Sequence, residues 1–555
     1  MTAGAPLTWR FCLLCVAAFA AFTAFAGLFA LPPLDRDEAR FAQATAQMIE
    51  SGDYVAIRFQ GRERNKKPAG VYWLQAASVK AFSNVEAREI WAYRIPSMIG
   101  VVIAAIFTFL AGARAFDART GLLAGLLLAS APVVAAEATI AKTDGVLLGL
   151  VAMAQYAFLT IFGAVQEGRK PGWPAALLFW TAQGAAALVK GPIAPMISLV
   201  TGLGVAGGKW RFNWLAAMRP VSGFLLFILM VLPWGLAIWQ ATDGRFFTQA
   251  VGGDMLGKIG DAQEGHNGPP GYHTLLIWPL FWPAAALILP GLLQSWRART
   301  DWRQCFLLAW AIPAWIVFEI AATKLPHYVM PLYPALAIMA ARAAVSGVPD
   351  GWVRKASALL YAGVGLAAAA LIALPPLAFS GAGPAALYFA AAAITAIAAL
   401  LIAVLFWRGR AVKGAVAASL LASLYAWTLL GAVLPGLTQL TIAPRLSAAL
   451  ELADRHPIHD GRAPVAITGY AEPSAVFLLG TQTALTDPQD AARRLLSGAA
   501  SAAVVEARED AAFKAALDGA PVTALAVIDG LNYSNGDQAT LTIYALAPAK
   551  MSGDS

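Results

Sequence analysis

The chain has 555 residues, of which 59% are hydrophobic and 13% are charged. Soluble domains are about 45–50% apolar and about 25% charged, so this composition excludes a disordered chain and argues against an ordinary soluble enzyme. Three cysteines exclude a disulfide framework. The net charge of +8 comes mainly from short loops between apolar runs, which is typical of membrane topology signals and not of a nucleic-acid-binding surface.

Apolar runs long enough to cross a bilayer, which takes about 20 residues, recur through most of the chain. We predict thirteen membrane-spanning helices, near 11–31, 91–112, 120–137, 145–165, 172–190, 192–207, 219–240, 272–293, 304–322, 328–345, 356–377, 385–407 and 413–435. Because many spans follow the first one, we interpret it as a membrane anchor and not as a cleaved signal peptide.

Lysine and arginine are concentrated in alternate loops. These residues are Arg114, Arg119, Arg169, Lys170, Lys209, Arg211, Arg297, Arg299, Arg303, Arg354, Lys355, Arg408, Arg410 and Lys413. Basic loops stay in the cytoplasm, so the other loops are predicted to lie outside it. They are 32–90, 138–144, 241–271, 323–327, 378–384 and everything after residue 436.

The end of the chain differs in composition from the rest. Residues 441–555 contain 8 basic and 13 acidic residues, so this tail is acidic while the apolar part is basic. Helical stretches at 444–455, 488–497 and 509–518 alternate with β-like runs at Val465–Thr468, Ala502–Val505, Val522–Ile528 and Ala539–Tyr544. Asn535-Gly536 is a strong hairpin signal. We predict a polytopic α-helical membrane domain over 1–438 and a small extracytoplasmic α/β domain over 439–555.

Ionisable residues gather in the predicted outside loops, most densely in 32–90. Asp37 and Glu38 follow the first span at the start of a predicted helix, 37–50. A second predicted helix, 69–82, is amphipathic and suits the membrane interface. A carboxylate at this place suits a water-filled pocket that faces lipid-borne substrates, so Asp37 is the leading catalytic candidate. The alternative is a carboxylate that interacts with the helix dipole or with Arg40.

Cations mark the same outer rim in several loops. They are Arg58 and Lys67 in the first loop, Lys142 just before Asp144, Lys190 before the Gly191-Pro192 break, and Lys324 between the ninth and tenth spans. A single rim lysine is commonly a membrane anchor. Several on one side favour a bound anionic group such as a diphosphate or a phosphodiester.

The outside loop 241–271 has the length and the glycines of a mobile lid. Its His266 could bind a metal ion together with a nearby carboxylate. The spacing matches no recognised ligand pattern, and a hydrogen-bonded loop histidine is the alternative.

The order of these motifs resembles that of bacterial GT-C glycosyltransferases. The branch most similar is the lipid A aminoarabinose transferase family, within the protein O-mannosyltransferase (glycosyltransferase family 39-like) superfamily. The resemblance rests on Asp37-Glu38-x-Arg40-Phe41, Ser51-Gly52-Asp53-Tyr54, Lys67-Pro68, His266-x-x-Pro269-x-x-Tyr272 and Lys324-Leu325-Pro326-His327-Tyr328-Val329-Met330-Pro331. It covers roughly residues 30–345 by motif, and the rest by layout.

The resemblance implies an inner-membrane enzyme that moves a sugar from a polyprenyl phosphate, typically undecaprenyl phosphate, to a periplasmic acceptor with inversion. By motif position it implies Asp37 and Asp144 as catalytic carboxylates, and Lys67 and Tyr328 at the donor phosphate. Arg58 and Lys324 are assigned to the same phosphate by their charge. Glu38 and Lys142 are further candidates, for contacts to the acceptor.

The resemblance also implies one divalent metal ion at His266. In the run Arg64-Asn65-Lys66-Lys67-Pro68, however, Lys66 stands where the family has a glutamate ligand. An ammonium group has no lone pair to donate to a cation, so the metal depends on whether Glu63 or Glu264 substitutes. No nucleotide-binding glycine motif is recognised, so no nucleotide cofactor is expected.

The acceptor and the sugar stay open at this point. The acceptor could be lipid A or lipopolysaccharide core, another envelope glycan or glycolipid, or a protein; the sugar could be aminoarabinose, a hexuronic acid or a neutral hexose. A transporter for lipid-linked sugars is the rival function, although transporters usually place polar sites near the membrane midplane. A non-catalytic envelope scaffold is a third reading. Expected partners are the lipid-linked sugar, the acceptor and membrane lipids, with no nucleic acid.

Overall fold

The computed structural model describes residues 8–207, 212–256, 268–379 and 383–547. Its longer helices before the tail are Trp9–Ala24, Asp37–Ser51, Gly70–Phe82, Ile90–Ala115, Ala118–Ala129, Pro132–Ala138, Asp144–Gln166, Trp173–Lys190, Ile193–Ala206, Pro220–Thr242, Tyr272–Leu280, Ala285–Arg297, Trp302–Ile320, Tyr333–Ser346, Trp352–Ala373, Ala385–Trp407 and Ala411–Thr428. Shorter helical turns occupy Ala216–Met218, Arg245–Phe247, Thr248–Leu256, Trp282–Ala284, Met330–Leu332, Pro375–Ala378 and Leu429–Val433.

The apolar helices identify a multi-pass membrane protein. Among the described residues, seven helices are long and apolar enough to cross a membrane, and nine if each of two bent helix pairs is one span. The pair Ala118–Ala129 and Pro132–Ala138 bends by 65°, and the pair Tyr272–Leu280 and Trp282–Arg297 bends by 91°. The remaining predicted spans coincide with shorter or less apolar helices. The structure is therefore consistent with the thirteen predicted spans.

Glycines set the distance between two central helices, Ile90–Ala115 and Asp144–Gln166. A β-carbon built on Gly100 would lie 2.4 Å from the carbonyl oxygen of Gly145, and one on Gly149 would lie 2.5 Å from that of Gly100. No methyl group fits at such distances, so small residues permit the close contact. This contact fixes the start of the second helix, where Asp144 lies.

Loop 32–90, which we call the first outside loop after its predicted location, contains the two predicted helices and one small hairpin. Helices Asp37–Ser51 and Gly70–Phe82 agree with the predictions at 37–50 and 69–82. Between them, strands β1 (Arg58–Phe59) and β2 (Arg62–Glu63) pair antiparallel. The loop is thus an ordered layer next to the ends of the apolar helices.

The tail is a five-stranded mixed sheet with helices on both faces. Its strands are β3 (Val465–Thr468), β4 (Ala484–Leu485), β5 (Ala502–Glu506), β6 (Val522–Asn532) and β7 (Asp537–Leu546), in the order β4-β3-β5-β7-β6. Its helices are Ile442–Leu452, Pro473–Leu479, Pro488–Leu496 and Asp510–Ala516, with short turns at Thr438–Leu440 and Ala507–Glu509.

Strand β3 is parallel to β4 and β5, whereas β7 is antiparallel to β5 and β6. Val465 and Ile467 pack with helix Ile442–Leu452, while Ala466 packs with helix Pro488–Leu496 on the other face. This alternation follows from the two-residue period of a strand. Strands β6 and β7 form the hairpin predicted at Asn535-Gly536.

The tail contacts the first outside loop directly. The Asp35 backbone N–H donates to the Tyr533 hydroxyl at 2.6 Å, and the Ser474 N–H donates to Asp35 Oδ1 at 3.2 Å. Farther along helix Asp37–Ser51, Gln43 Nε2 donates to Thr481 Oγ1 at 2.7 Å. The tail therefore holds the segment that carries Asp37 from both sides of that residue.

Candidate active site

Five ionisable side chains from separate segments meet at the start of helix Asp144–Gln166. They are Glu137, Lys142, Asp144, Lys190 and His327, and we call them the charge cluster. Lys190 Nζ lies 2.5 Å from Asp144 Oδ1, and Lys142 Nζ lies 2.9 Å from Glu137 Oε1 and 3.8 Å from Asp144 Oδ2. Each of these side chains is 14% exposed or less. Buried charges need such pairing, since unpaired ones are costly.

Local sequence features place the members of the charge cluster. The Ser97 hydroxyl lies 2.8 Å from the carbonyl oxygen of Ile140 and 3.1 Å from that of Lys142, and so holds the turn before Asp144. Asp144 is in the first helical turn, where the dipole favours a carboxylate. Lys190 ends its helix because Gly191 follows with φ +63°. The break that the sequence indicated here therefore positions a cation.

His327 lies between the two carboxylates of the charge cluster. Its Nδ1 is 3.4 Å from Glu137 Oε1, and its Nε2 is 3.6 Å from Asp144 Oδ1. Burial lowers the pKa of His327 well below its usual value, and the positive charge of Lys142 lowers it further. The imidazole is therefore neutral. Next to it, the Tyr328 ring centroid lies 5.4 Å from Lys190 Nζ, a cation–π distance.

Asp37 lies at the edge of this region and is open to solvent. Its side chain is 59% exposed, and its Oδ1 is 3.9 Å from Arg40 Nη1. Burial lowers the pKa of Lys142, but the carboxylates of Glu137, Asp144 and Asp37 outweigh that effect and raise it. Asp37 and Asp144 thus act on the same ammonium group. One predicted catalytic carboxylate is exposed in the loop, and the other is buried at the helix end.

Glu38 has a different environment from the one expected for an acceptor-binding residue. It is 1% exposed and accepts hydrogen bonds from Arg94 Nε and Nη2 at 2.8 Å each, from Leu34 N at 2.8 Å and from Ala141 N at 2.7 Å. These bonds join the end of the first apolar segment, the first loop and the turn before Asp144. The structure therefore gives Glu38 a structural role, and a contact with the acceptor stays a prediction.

The other predicted phosphate-binding cations occupy three separate places. Lys324 Nζ donates to the carbonyl oxygens of Gly268 and Ala321 at 2.9 and 2.8 Å, and so ties the described end of the lid loop to the corner before the tenth span. Arg58 is exposed on hairpin β1–β2. Lys67 is half-buried at the turn before helix Gly70–Phe82. Of the predicted set, the structure brings Asp144, Lys142 and Tyr328 together.

The sequence analysis did not select Glu137 or His327 as site residues. Glu137 had one usable signal, because an isolated acidic residue in an apolar run is often functional in membrane proteins. His327 occupies the variable position of the Lys-Leu-Pro-x-Tyr motif, and nothing in the motif assigns it a role. Lys190 was noted as a rim cation only.

The metal expectation rests partly on residues outside the described ones, since His266 and Glu264 lie in the gap between 256 and 268. Lys66, at the family's glutamate position, is exposed. Glu63, the other possible substitute, accepts hydrogen bonds from Arg245 Nη2 at 2.8 Å and from Asn65 Nδ2 at 2.9 Å. The described residues therefore offer no uncommitted carboxylate at positions 63 to 66, and the metal stays a prediction.

A group of potential metal ligands also occurs in the tail. Ligand atoms of Glu451, His456 and His459 lie within 4.8 Å of one another. Both ring nitrogens of His456 are already engaged, Nδ1 with the His459 N–H at 3.2 Å and Nε2 with Ser447 Oγ at 3.1 Å. These hydrogen bonds explain why the three side chains lie close together, and no metal ion is needed to explain it.

The chain is similar in sequence to proteins that are named as sugar transferases with lipid-linked donors. The family model described as dolichyl-phosphate-mannose-protein mannosyltransferase matches residues 66–239. The undecaprenyl phosphate-alpha-4-amino-4-deoxy-L-arabinose arabinosyl transferase of Pseudomonas aeruginosa (strain UCBPP-PA14) is 27% identical over 366 residues, covering 62% of this chain and 63% of the relative. The corresponding transferase of Serratia proteamaculans is 28% identical over 308 residues, covering 55% and 54%. The chain thus matches less than two thirds of these relatives' length.

Solved structures share the fold over the whole chain. ArnT from Cupriavidus metallidurans bound to undecaprenyl phosphate has a TM-score of 0.75 at 20% identity, covering 99% of this chain and 100% of that chain. The apo form of the same protein has a TM-score of 0.72, with 97% of each chain covered. At this identity the likeness establishes the fold. Together with the relatives, it confirms the resemblance stated from the motifs.

Proposed function

We propose, on the premise that this chain is a GT-C-type glycosyltransferase, that it transfers a sugar from a polyprenyl phosphate to an envelope acceptor. The donor lipid is undecaprenyl phosphate, and the acceptor is lipid A, lipopolysaccharide or another glycolipid. The observation that carries the proposal is the charge cluster, with the exposed carboxylate of Asp37 beside it. It lies at the ends of the apolar helices, where a lipid phosphate meets water.

The cluster suits departure of a lipid phosphate. When the bond between sugar and phosphate breaks, negative charge develops on the phosphate oxygens, and preorganised cations stabilise that charge. Lys142 and Lys190 are held in place by Glu137 and Asp144. The ring of Tyr328 contacts Lys190, which keeps this tyrosine next to the cluster. Lys67 and Arg58 are the loop cations that would meet the phosphate from the water side.

Asp37 is suited to the acceptor because it is exposed. If the acceptor is a hydroxyl, Asp37 removes its proton, a contribution of about 10²–10⁴-fold. If the acceptor is a phosphate, it is already a nucleophile, and Asp37 orients it. In both cases the acceptor attacks from the face opposite the leaving phosphate, so the anomeric configuration inverts.

The active site and the tail face the periplasm in this proposal, with the protein in the bacterial inner membrane. The basic loops on the opposite side support that orientation. The relatives are named for an arabinosyl transferase, and the family model is described for protein mannosyltransferases. The second name makes a protein acceptor the alternative within the same chemistry. A transporter for lipid-linked sugars is the alternative of another class.

The test compares envelope glycolipids by mass spectrometry in cells with the wild-type gene, a deletion, Asp37→Asn and Glu86→Gln. Glu86 is an exposed carboxylate of the same loop and serves as the matched control. We expect one glycolipid to lose a fixed sugar mass in the deletion and in Asp37→Asn, and to keep it in Glu86→Gln. The mass identifies the sugar.

Other outcomes would change the proposal. If the glycolipids are unchanged and a periplasmic protein loses a sugar mass, the acceptor is a protein and not a lipid. More than a tenth of wild-type transfer in Asp37→Asn would refute its role as general base. A donor lipid that accumulates only on the cytoplasmic leaflet would favour the transporter.

A further inference from the structure

His327 occupies a position that its neighbours make chemically demanding. Its two ring nitrogens face Glu137 Oε1 at 3.4 Å and Asp144 Oδ1 at 3.6 Å. Glu137 is 5% exposed, and its other oxygen, Oε2, is buried without a hydrogen-bond partner in the described residues. A buried carboxylate oxygen without a donor is costly. The protonation state of Glu137 therefore has to be worked out from its neighbours.

The number of N–H donors on the His327 ring determines how many ionised carboxylates it can satisfy. A neutral imidazole has one N–H and one lone pair, so it can donate to only one of two ionised carboxylates. The lone pair of the other nitrogen then faces a carboxylate oxygen and repels it, unless a proton lies between them. The group is satisfied when one carboxylate is protonated and donates to the ring.

The surrounding charges decide which carboxylate holds the proton. Asp144 has two of the cluster's lysines near it, Lys190 at 2.5 Å and Lys142 at 3.8 Å, whereas Glu137 is paired with Lys142, at 2.9 Å. Asp144 is therefore the carboxylate that stays ionised. Burial and the charges of Lys142 and Lys190 keep the His327 ring neutral. His273 adds a further repulsion when it is charged. Glu137 is left as the group that carries the proton.

We propose that His327 is a positioning residue for the transfer reaction. In this arrangement its Nε2–H is directed to the Asp144 carboxylate, 3.6 Å away, which is an electrostatic contact longer than a hydrogen bond. Its Nδ1 is directed to the proton of a neutral Glu137, whose Oε1 is 3.4 Å away. The imidazole thus holds an ionised Asp144 in one orientation. It also keeps this carboxylate from moving closer to Lys142, so that the positive charge of Lys142 stays available to the donor phosphate. The proposal rests on the proposed function, since the cations concerned are those assigned to the donor phosphate. It assigns a role to the variable position of the Lys-Leu-Pro-x-Tyr motif.

The functional part is tested with the purified full-length protein in detergent, with synthetic undecaprenyl phosphate-aminoarabinose as donor and lipid A as acceptor. We expect His327→Leu to lower kcat by about 10- to 100-fold, the usual loss when a residue that orients a catalytic ligand is removed, with the donor KM changed less than threefold. His327→Gln keeps one N–H donor and one acceptor, and should recover most of kcat. Thermal melting of each variant identifies loss of folding.

The pH profile separates positioning from packing. In the wild type, kcat should fall on the alkaline side as Glu137 loses its proton. Glu137→Gln imitates the neutral acid, so it should keep kcat at neutral pH and move the alkaline fall to higher pH. Wild-type kcat and pH profile in His327→Leu would overturn the proposal. So would equal losses in His327→Gln and His327→Leu at unchanged melting temperature.

A second readout does not depend on turnover. Infrared spectroscopy of the wild-type protein should show the carbonyl stretch of a buried protonated carboxyl group, and Glu137→Gln should remove that band. If the band is present but no sugar transfer is found with any acceptor, the proposed function fails while the protonation of Glu137 stands. If the band is absent near neutral pH, the proton assignment fails whatever the activity.

Discussion

Replacing Glu38 by alanine should destabilise the protein, although the neighbouring Asp37→Ala should not. Glu38 is the ionised partner of Arg94, whose side chain is fully buried. Without Glu38, the guanidinium keeps only carbonyl partners, at Leu28 (3.2 Å), Leu31 (2.7 Å) and Pro32 (2.9 Å). Removing one partner of a buried ion pair costs about 3–5 kcal/mol. The three carbonyls partly solvate the charge, so we expect the lower end of that range.

The assay is the apparent melting temperature of detergent-solubilised protein, measured beside sugar transfer. A loss of about 3 kcal/mol should lower the midpoint by about 3–6 °C, since 1 kcal/mol shifts a domain of 150–250 residues by about 2–4 °C and a larger domain by less. Asp37→Ala is the matched control: its carboxylate is mostly exposed, so its midpoint should stay within about 2 °C of the wild type. Its transfer activity should be lost.

A double-mutant cycle completes the test. Glu38→Leu combined with Arg94→Leu removes both charges, so it should destabilise less than the two single changes added together. The reasoning would be refuted if Glu38→Ala melted like the wild type while transfer was abolished. That result would favour a contact between Glu38 and the acceptor.

Two further changes test other parts of the structure. Burial raises the pKa of Asp35 to about 6, because the folded protein favours the protonated carboxyl group. The protein therefore has its full stability below about pH 4, where Asp35 is protonated, and loses the contribution of the protonated group as the pH rises through 6. Asp35→Asn can still accept from the Ser474 N–H, so it should increase the free energy of unfolding at pH 7.5 by at most about 3 kcal/mol and raise the melting temperature there. Near pH 4 it should leave both unchanged, and no gain at pH 7.5 would contradict the burial argument. In Gly149→Ala the new methyl group would lie 2.5 Å from the Gly100 carbonyl oxygen, so this change should lower the free energy of unfolding by about 1–3 kcal/mol and reduce activity. Gly235→Ala is the control, because no atom lies within 4 Å of its new carbon. It should be neutral or slightly stabilising in the same melting assay.

The membrane helices and the tail strands were predictable because their signals are local. An apolar run of bilayer length predicts a span wherever it folds, and the short continuous apolar runs at β3 and β5 predict strands that are buried on both faces. Bent pairs were less visible, since the 65° break before Pro132 depends on packing as well as on the proline. Helix Pro473–Leu479 was missed, because a seven-residue helix is too short for a clear periodic pattern.

Candidate site residues could be selected from the sequence only where a single segment contains the whole motif. Asp37 and Asp144 were selected from motifs next to span ends, and their catalytic roles stay predictions. The opposite environments of Asp37 and Glu38 were not predicted. Nine of the fourteen positions of helix Asp37–Ser51 after the first are buried, so periodicity does not separate the two carboxylates. The contact between Glu137 and His327 joins segments 190 residues apart, and it exists only once the helices have packed.

The contact between tail and loop limits how this protein can be recombined with its relatives. Tyr533 and Ser474 hold Asp35, two residues before Asp37, and Thr481 holds Gln43 one and a half turns after it. A chimera that exchanges the tail alone would place foreign side chains against the backbone that presents Asp37. Exchange of the first outside loop and the tail together, as one cassette, preserves both halves of that contact and is the design that should retain activity.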